Sequence, residues 1–244
     1  MKALGRWLLL LVLATMYLQL YFVGRIALMA VVDPQSTAFE RSEVWRVATL
    51  PDVSFKWRQQ WVPYAQISDN LKRAVIASED GDFVYHDGVE WEAIEKAWQK
   101  NALAEQRALK RALNPNSKSK APKIIGGSTI TQQLAKNLFL SGERNLLRKS
   151  QEFVLTIAIE LFLPKERILE IYLNSVEWGE GVFGAEAAAQ RYFGKPAAKL
   201  SAYEAARLAV MLPRPKFFEK VPNSAYVSGR AQTIVARMGD AELP

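Results

Sequence analysis

Glu79 carries a carboxyl group at the end of an apolar run, a position that suits proton transfer. Glu79 directly follows Val75-Ile76-Ala77, at the end of a helix predicted over residues 68–79. Burial raises the pKa of a carboxyl group, and a raised pKa suits general acid–base chemistry. The alternative is a solvated helix end that includes the neighbouring Asp80. Acids at a helix C-terminus oppose the helix dipole, so this placement costs stability and indicates a functional reason.

A second segment, residues 126–137, combines a glycine turn with a polar helix face. Gly126-Gly127 lets the backbone turn, and Ser128 or Thr129 is expected to cap the helix that follows. One face of that helix carries a hydroxyl, amides and an amine, on Thr129, Gln132, Gln133, Lys136 and Asn137. Amides donate and accept hydrogen bonds, which suits sugar hydroxyls, and lysine is a point-charge partner for phosphate. An ordinary exposed helix face is the alternative.

A third polar set recurs on an otherwise apolar helix predicted over residues 144–163. Its members are spaced four apart and share one stripe, formed by Arg148, Glu152, Thr156 and Glu160. A lone buried carboxylate is costly. Arg148 and Lys149 lie within one turn of Glu152, where they can pair with it. The stripe favours the lining of a cavity, and a structural ion pair is the alternative.

Helices must position these groups, because strand-like alternation is scarce along the chain. Periodicity, caps and proline stops predict further helices at residues 90–113, 164–174, 185–193, 202–212 and 224–238. Ser68 or Asp69 is expected to cap the helix at 68–79, and Ser201 with Glu204 to form a capping box for the helix at 202–212. The helix at 90–113 is expected to bury Trp91, Ile94, Ala97 and Trp98. Residues 178–184 predict a glycine-rich turn. Glu170 and Asn174 are expected to have a structural role as hydrogen-bonding residues. The pattern predicts a mostly α-helical single domain.

Composition narrows the classes of chemistry. The chain of 244 residues has no cysteine and a single histidine, His86. These counts argue against disulfides, thiolate zinc sites, a cysteine nucleophile, a multi-histidine metal site and a Ser-His-Asp triad. The net charge of +7 fits anionic partners, namely nucleic acid, anionic lipid or a phosphate-bearing substrate.

The N-terminal region decides among these partners. Lys2 and Arg6 precede an apolar stretch over residues 7–32 that only Arg25 interrupts with a charge. Its length predicts one transmembrane anchor, because the apolar core of a cleavable signal peptide, the alternative, is shorter. The basic residues predict that residues 1–6 stay in the cytoplasm. The remaining chain would then lie outside the inner membrane, away from nucleic acid.

The anchor divides the rest of the chain into parts. Residues 33–61 are predicted to be a tether followed by a membrane-interface segment. The part up to residue 49 shows no clear hydrophobic period, and the part after it interleaves aromatic and basic residues. A strand or loop packed on the domain is an equal alternative for the aromatic part. Residues 62–244 form the predicted domain. Within it, residues 107–123 carry six lysines or arginines and no acid, which predicts a basic loop over the anionic membrane surface or a solvated linker.

Four of these segments, in this order, resemble the motifs of the peptidoglycan glycosyltransferases, whose domains polymerise lipid II. Glu79-Asp80 with Phe83, His86 and Gly88 resembles the first motif, and Gly126 to Asn137 the second. Arg148-Lys149 with Glu152 resembles the third, and Glu170 to Asn174 the fourth. The resemblance runs from about residue 62 to 215, and the missing transpeptidase half indicates the monofunctional branch. It implies a lysozyme-like helical fold with a small membrane-proximal lobe.

The resemblance also implies a reaction. Glu79 would be the general base on the acceptor sugar of lipid II, and polyprenyl pyrophosphate would leave a lipid-linked donor chain with inversion. Lys136, Arg148 and Lys149 would stabilise the leaving group, while Glu152 would orient these cations or the acceptor. Alternatively, Glu152 would help hold a divalent cation, Mg²⁺ or Mn²⁺, for which Asp80 is the weaker candidate. No organic cofactor is implied. The remaining polar residues would position sugars and phosphate: Ser128, Thr129, Gln132, Gln133 and Asn137.

The implied setting is the bacterial inner membrane, with the catalytic domain in the periplasm. Proteins of cell-wall synthesis or division complexes are implied as partners, and His86 is expected to have an architectural role. Two rival functions share part of the pattern. A lysozyme-like hydrolase also needs a carboxyl group beside a sugar cleft, but it needs neither an anchor nor cations for pyrophosphate. A membrane-tethered scaffold would need no acids at all.

Overall fold

The computed structural model describes residues 2–49, 57–112, 127–140 and 145–244, and most of them are helical. Five parts of the predictions lie outside the described residues. They are residue 1 of the cytoplasmic segment, residues 50–56 of the interface segment, residues 113–123 of the basic loop, Gly126, and residue 144 at the start of the helix predicted over residues 144–163. Within the described ranges, the expected mostly α-helical fold is confirmed.

The chain begins with a long apolar helix, α1 (Lys2–Leu28). Among the described residues it is the one helix that is long and apolar enough to cross a membrane. Most of its side chains are exposed, but Ile26 and the following Met29 are buried in the domain. Phe22 packs edge-on against Phe139, with ring centroids 5.3 Å apart. The predicted anchor is therefore a helix that also docks on the domain.

A second helix, α2 (Ala38–Ala48), lies where the sequence predicts a tether. A capping box closes its N-terminus: the Thr37 hydroxyl accepts from the Glu40 N–H at 3.0 Å, and the Glu40 carboxylate accepts from the Thr37 N–H at 2.8 Å. The tether prediction is wrong over this helix. The helix is only three turns long, so a cap rather than a sustained apolar period marks it.

The remaining helices follow in chain order, and the predicted ends are right to within about three residues for all but the short α10, which the sequence does not predict. They are α3 (Asp69–Glu79), α4 (Trp91–Ala112), α5 (Ile130–Phe139), α6 (Leu146–Phe162), α7 (Lys165–Ser175), α8 (Ala185–Phe193), α9 (Ala202–Met211), α10 (Pro215–Phe218) and α11 (Ala225–Arg237). Helix α3 packs against α9 and α11, and α5 packs against α6 and α7. Ser68 and Ser201 cap α3 and α9 as predicted.

Three short strands form one small sheet beside the helices. The strands are β1 (Arg58–Gln59), β2 (Glu177–Gly179) and β3 (Val182–Phe183), in the order β1-β3-β2. Strand β3 pairs in parallel with β1 and antiparallel with β2, so the predicted glycine turn is a β-hairpin. Trp57 stacks on Phe183, with centroids 4.5 Å apart. This part of the aromatic–basic segment therefore packs on the domain, as its alternative reading stated.

Helix α4 differs from its prediction in what its apolar face meets. Trp91 and Trp98 are 67% and 75% exposed, so the expectation that α4 buries them is wrong, although Ala97 is buried. An apolar stripe identifies one face of a helix without specifying what covers that face.

Asn174 at the end of α7 has the structural role that the sequence predicts. Its side-chain oxygen accepts from the Val62 N–H at 2.9 Å, and its amide donates to the Val62 carbonyl at 2.9 Å. Gly184 lies against the same residue with a φ of 84°, and a Cβ there would be 2.7 Å from the Asn174 carbonyl oxygen. Glycine is therefore required at this crossing of the hairpin and α7.

Candidate active site

A groove of about 440 Å³ lies between α5, α6 and β2. Eight of the residues that the sequence proposes for the site line it, and they are Ser128, Gln132, Gln133, Lys136, Asn137, Arg148, Lys149 and Glu152. The structure thus brings the polar face of α5 and the start of α6 to one opening. Thr129, Glu79 and Asp80 are not among its lining residues.

The start of α5 explains the position of Thr129. Its hydroxyl accepts from the Gln132 N–H at 3.1 Å and donates to the Gly88 carbonyl at 2.6 Å. The Gln132 amide oxygen accepts from the Thr129 N–H in return, which completes a capping box. Thr129 is only 2% exposed. The hydroxyl is thus used inside the protein, while Ser128 is exposed at the groove.

Glu79 reaches the groove through a glutamine. Its carboxylate accepts a 3.0 Å hydrogen bond from the Gln133 amide, and the Gln133 oxygen accepts from the Tyr172 hydroxyl at 2.9 Å. Burial raises the pKa of Glu79, and the bond from Gln133 acts in the opposite direction. Gln133 also lines the groove. Glu79, a carboxyl group of raised pKa, is therefore separated from the groove that Glu152 lines by the side chain of Gln133.

The charged stripe of α6 separates into two parts. Arg148 donates to the Glu152 carboxylate at 2.8 Å and Lys149 forms a second ion pair with it, so this end of the stripe lines the groove with two cations. Glu160 instead pairs with Lys165 at 2.8 Å and accepts from the Thr131 hydroxyl at 2.6 Å. Arg148 and Glu152 at the start of the stripe thus line a cavity, as the sequence favours. Glu160 at its end forms the structural ion pair that is the alternative.

Asp80 joins the end of α3 to the start of α5. One of its oxygens accepts from the Ile130 N–H at 2.8 Å, and the other lies 2.8 Å from His86 Nε2. His86 Nδ1 accepts from the Gly88 N–H at 3.1 Å, so Nε2 carries the proton and donates to Asp80. The histidine has the architectural position that the sequence predicts.

The same contacts test whether a divalent cation fits here. Ligand atoms of Asp80, His86 and Glu90 lie within 4.8 Å of one another. Both nitrogens of His86 are occupied by the hydrogen bonds just described, and both Asp80 oxygens accept bonds from the protein. A metal would have to displace these contacts, so the three residues do not form a ready cation site.

Among the described residues that line this groove, Glu177 of β2 is the one charged residue that is missing from the sequence-based predictions. It faces α5 and α6 across the groove and is 5% exposed. Burial raises its pKa to about 7. The only signal in the sequence is an acid beside Trp178 before a glycine turn, which does not distinguish a groove wall from a hairpin surface.

Comparison with known proteins identifies the family of the chain. A family model described as transglycosylase matches residues 47–239. The chain is 55% identical over 227 residues to a protein of Burkholderia thailandensis, which covers 93% of this chain and 82% of that relative. It is 50% identical over 239 residues to a protein of Herminiimonas arsenicoxydans, which covers 98% and 96% of the two chains. Both relatives are named biosynthetic peptidoglycan transglycosylase. By this match and its extent, the chain belongs to the transglycosylase family.

Proposed function

We propose that the chain polymerises peptidoglycan glycan strands from lipid II and releases polyprenyl pyrophosphate. Membership of the transglycosylase family supports glycosyl transfer, and the names of the relatives support peptidoglycan as the product. The observation that carries the proposal is the hydrogen bond from Gln133 to Glu79. It connects a carboxyl of raised pKa to a groove with cations on its walls.

In this mechanism Glu79 takes the proton of the acceptor sugar hydroxyl. The hydroxyl oxygen forms the new bond to the anomeric carbon of the donor, and the bond from that carbon to the pyrophosphate breaks with inversion. The leaving pyrophosphate takes the electron pair, and Lys136, Arg148 and Lys149 stabilise its negative charge. Glu152 holds Arg148 and Lys149 in place through two ion pairs. The amides of α5 position the sugars.

The proposed setting is the bacterial inner membrane, with the N-terminus in the cytoplasm and the domain in the periplasm. The apolar helix α1 supports a single anchor, and Lys2 and Arg6 at its N-terminal end support this orientation. Cell-wall synthesis or division proteins would be the partners.

Lipid II polymerisation by the purified protein in detergent tests the proposal. Wild type is expected to form polymer, and Glu79→Gln to lose roughly 10²–10⁴-fold in rate, because the amide cannot accept the proton. Glu166→Gln, on the exposed surface of α7, is the matched control and is expected to keep its activity. Polymerisation by Glu79→Gln at the wild-type rate would rule out the assigned base.

Two further arms address the rival functions and the cation. Finished peptidoglycan is expected to remain intact, whereas a lysozyme-like hydrolase would cut it, and a scaffold would turn over neither substrate. The divalent cation implied by the resemblance remains a prediction. If the cation is needed, a chelator is expected to slow polymerisation, and added Mg²⁺ or Mn²⁺ is expected to restore the rate.

A further inference from the structure

Two buried polar atoms on opposite walls of the groove have no hydrogen-bond partner. They are Arg148 Nε on α6 and Glu177 Oε1 on β2. Within the described ranges, the Tyr64 hydroxyl is the one other buried side-chain atom in this condition. Buried polar atoms are almost always paired, because an unpaired one loses its hydration without compensation. Their presence on both walls indicates that a ligand completes the hydrogen bonding.

The surroundings of Glu177 explain why its carboxyl is poorly neutralised. Lys216 Nζ lies 3.6 Å from Oε1, beyond hydrogen-bond distance, and forms a closer ion pair with Glu43 of α2. Glu219 at the end of α10 adds further negative charge, and Tyr192 of α8 also lies close enough to interact with Glu177. Burial is the largest cause of the raised pKa, Glu43 and Glu219 add to it, and Lys216 opposes it.

The two walls differ in the ligand chemistry that they accept. Arg148 and Lys149 attract phosphate, whereas a carboxylate repels it. A ligand that carries both phosphate and sugar would therefore place its phosphate against α6 and its neutral polar groups against β2.

We propose that Glu177 is a substrate-binding residue that accepts a hydrogen bond from a sugar hydroxyl or amide N–H of the lipid-linked substrate. This inference rests on the proposed function, because it takes the substrate to be a phosphorylated sugar. The ionised carboxylate is the better acceptor, so substrate binding strengthens as the pH rises through the pKa of Glu177.

Binding and turnover of lipid II in detergent test the inference separately. Binding is measured in the Glu79→Gln background, so that little product forms during the measurement. Glu177→Ala is expected to weaken lipid II binding about tenfold, and to raise KM by a similar factor in the otherwise wild-type chain with kcat within about twofold. Glu177→Gln keeps an acceptor oxygen and is expected to stay within about threefold, while losing the pH dependence of binding between about pH 6 and pH 8.

Glu180→Ala is the matched control, because Glu180 belongs to the same hairpin but is exposed and paired with Arg46 at 2.7 Å. It is expected to leave binding and KM unchanged. Unchanged binding in Glu177→Ala would overturn the inference, as would equal losses in the Ala and Gln variants together with a lower melting temperature. If wild type makes no polymer, the proposed function fails, but the binding comparison still decides the role of Glu177.

Discussion

At the scale of single residues, the chemistry of Glu79 depends on two neighbours from other helices. Its burial at the end of α3 raises its pKa, while the amide of Gln133 stabilises the ionised form. The Tyr172 hydroxyl from α7 holds that amide in its orientation. The opposed effects leave a carboxyl group that is more basic than an exposed glutamate and still able to ionise, as a general base requires.

Gln133→Ala is expected to move the acid limb of kcat/KM to higher pH. Without the amide donor, less opposes the effect of burial, so the pKa of Glu79 rises further. The proposed base would work only when ionised, so activity is expected to fall as the pH drops through this pKa, and a higher pKa would move that fall to higher pH. Initial rates of lipid II polymerisation between about pH 4 and pH 9 measure the shift.

Asn137, which also lies on the groove face of α5, provides the control for this measurement. Asn137→Ala is expected to weaken substrate binding without moving the acid limb, because Asn137 is not among the groups that shift the pKa of Glu79. An acid limb that stays in place in Gln133→Ala would show that Gln133 does not set the pKa of the base.

At the scale of elements, the start of α5 is the point where three parts of the chain meet. Asp80 after α3 binds the Ile130 N–H, and the Thr129 hydroxyl binds the carbonyl of Gly88. Gly88 itself has a φ of 80°, and a Cβ there would lie 2.7 Å from side-chain atoms of Thr156 and Glu160 on α6. These contacts set the direction in which α5 presents its polar face.

Thr129→Val is expected to lower the free energy of unfolding by about 1–2 kcal/mol, because the valine cannot cap α5. KM for lipid II should stay near the wild-type value, since the hydroxyl is used within the protein. Thr129→Ser keeps the hydroxyl and should retain most of the stability. Thermal melting and steady-state kinetics on the same preparations measure both quantities. A raised KM with an unchanged melting temperature would instead support the substrate-binding role that the sequence predicts.

At the scale of the whole molecule, α1 is joined to the domain by side-chain contacts as well as by the chain. Arg167 of α7 donates to the Met29 carbonyl at 2.8 Å and pairs with Asp33 at 2.7 Å. Gln19 and Gln151 of α6 exchange hydrogen bonds of 2.8 and 3.0 Å. Because α6 also lines the groove, these contacts connect the apolar helix to the element that forms one wall of the groove.

Ile26→Ala is expected to destabilise the domain by about 2–5 kcal/mol, as for other large-to-small changes in a core. Ile26 is fully buried although it belongs to the apolar helix, whereas Leu28, two residues further on, is 55% exposed. Leu28→Ala is therefore the matched control and should leave the melting temperature of the detergent-purified protein nearly unchanged. Equal melting temperatures for the two variants would indicate that α1 does not dock on the domain.

The sequence by itself determined the features that depend on residues close together in the chain. Caps such as Ser68 and Ser201 were readable because each bonds to a backbone N–H within three residues. The polar face of α5 was readable because helical periodicity places its amides on one side. The short helix α2 was missed because a capping box, rather than a period, marks it.

Only the tertiary structure decided which of these groups meet. Glu79 accepts a hydrogen bond from Gln133, which is 54 residues away, and Gln133 accepts one from Tyr172 on α7. No local pattern encodes such pairings. Local patterns also do not show that the Thr129 hydroxyl donates to the carbonyl of the distant Gly88, or that Glu177 faces the groove from a hairpin. Local spacing specifies which face a residue occupies, whereas the packing of distant elements specifies what that face contacts.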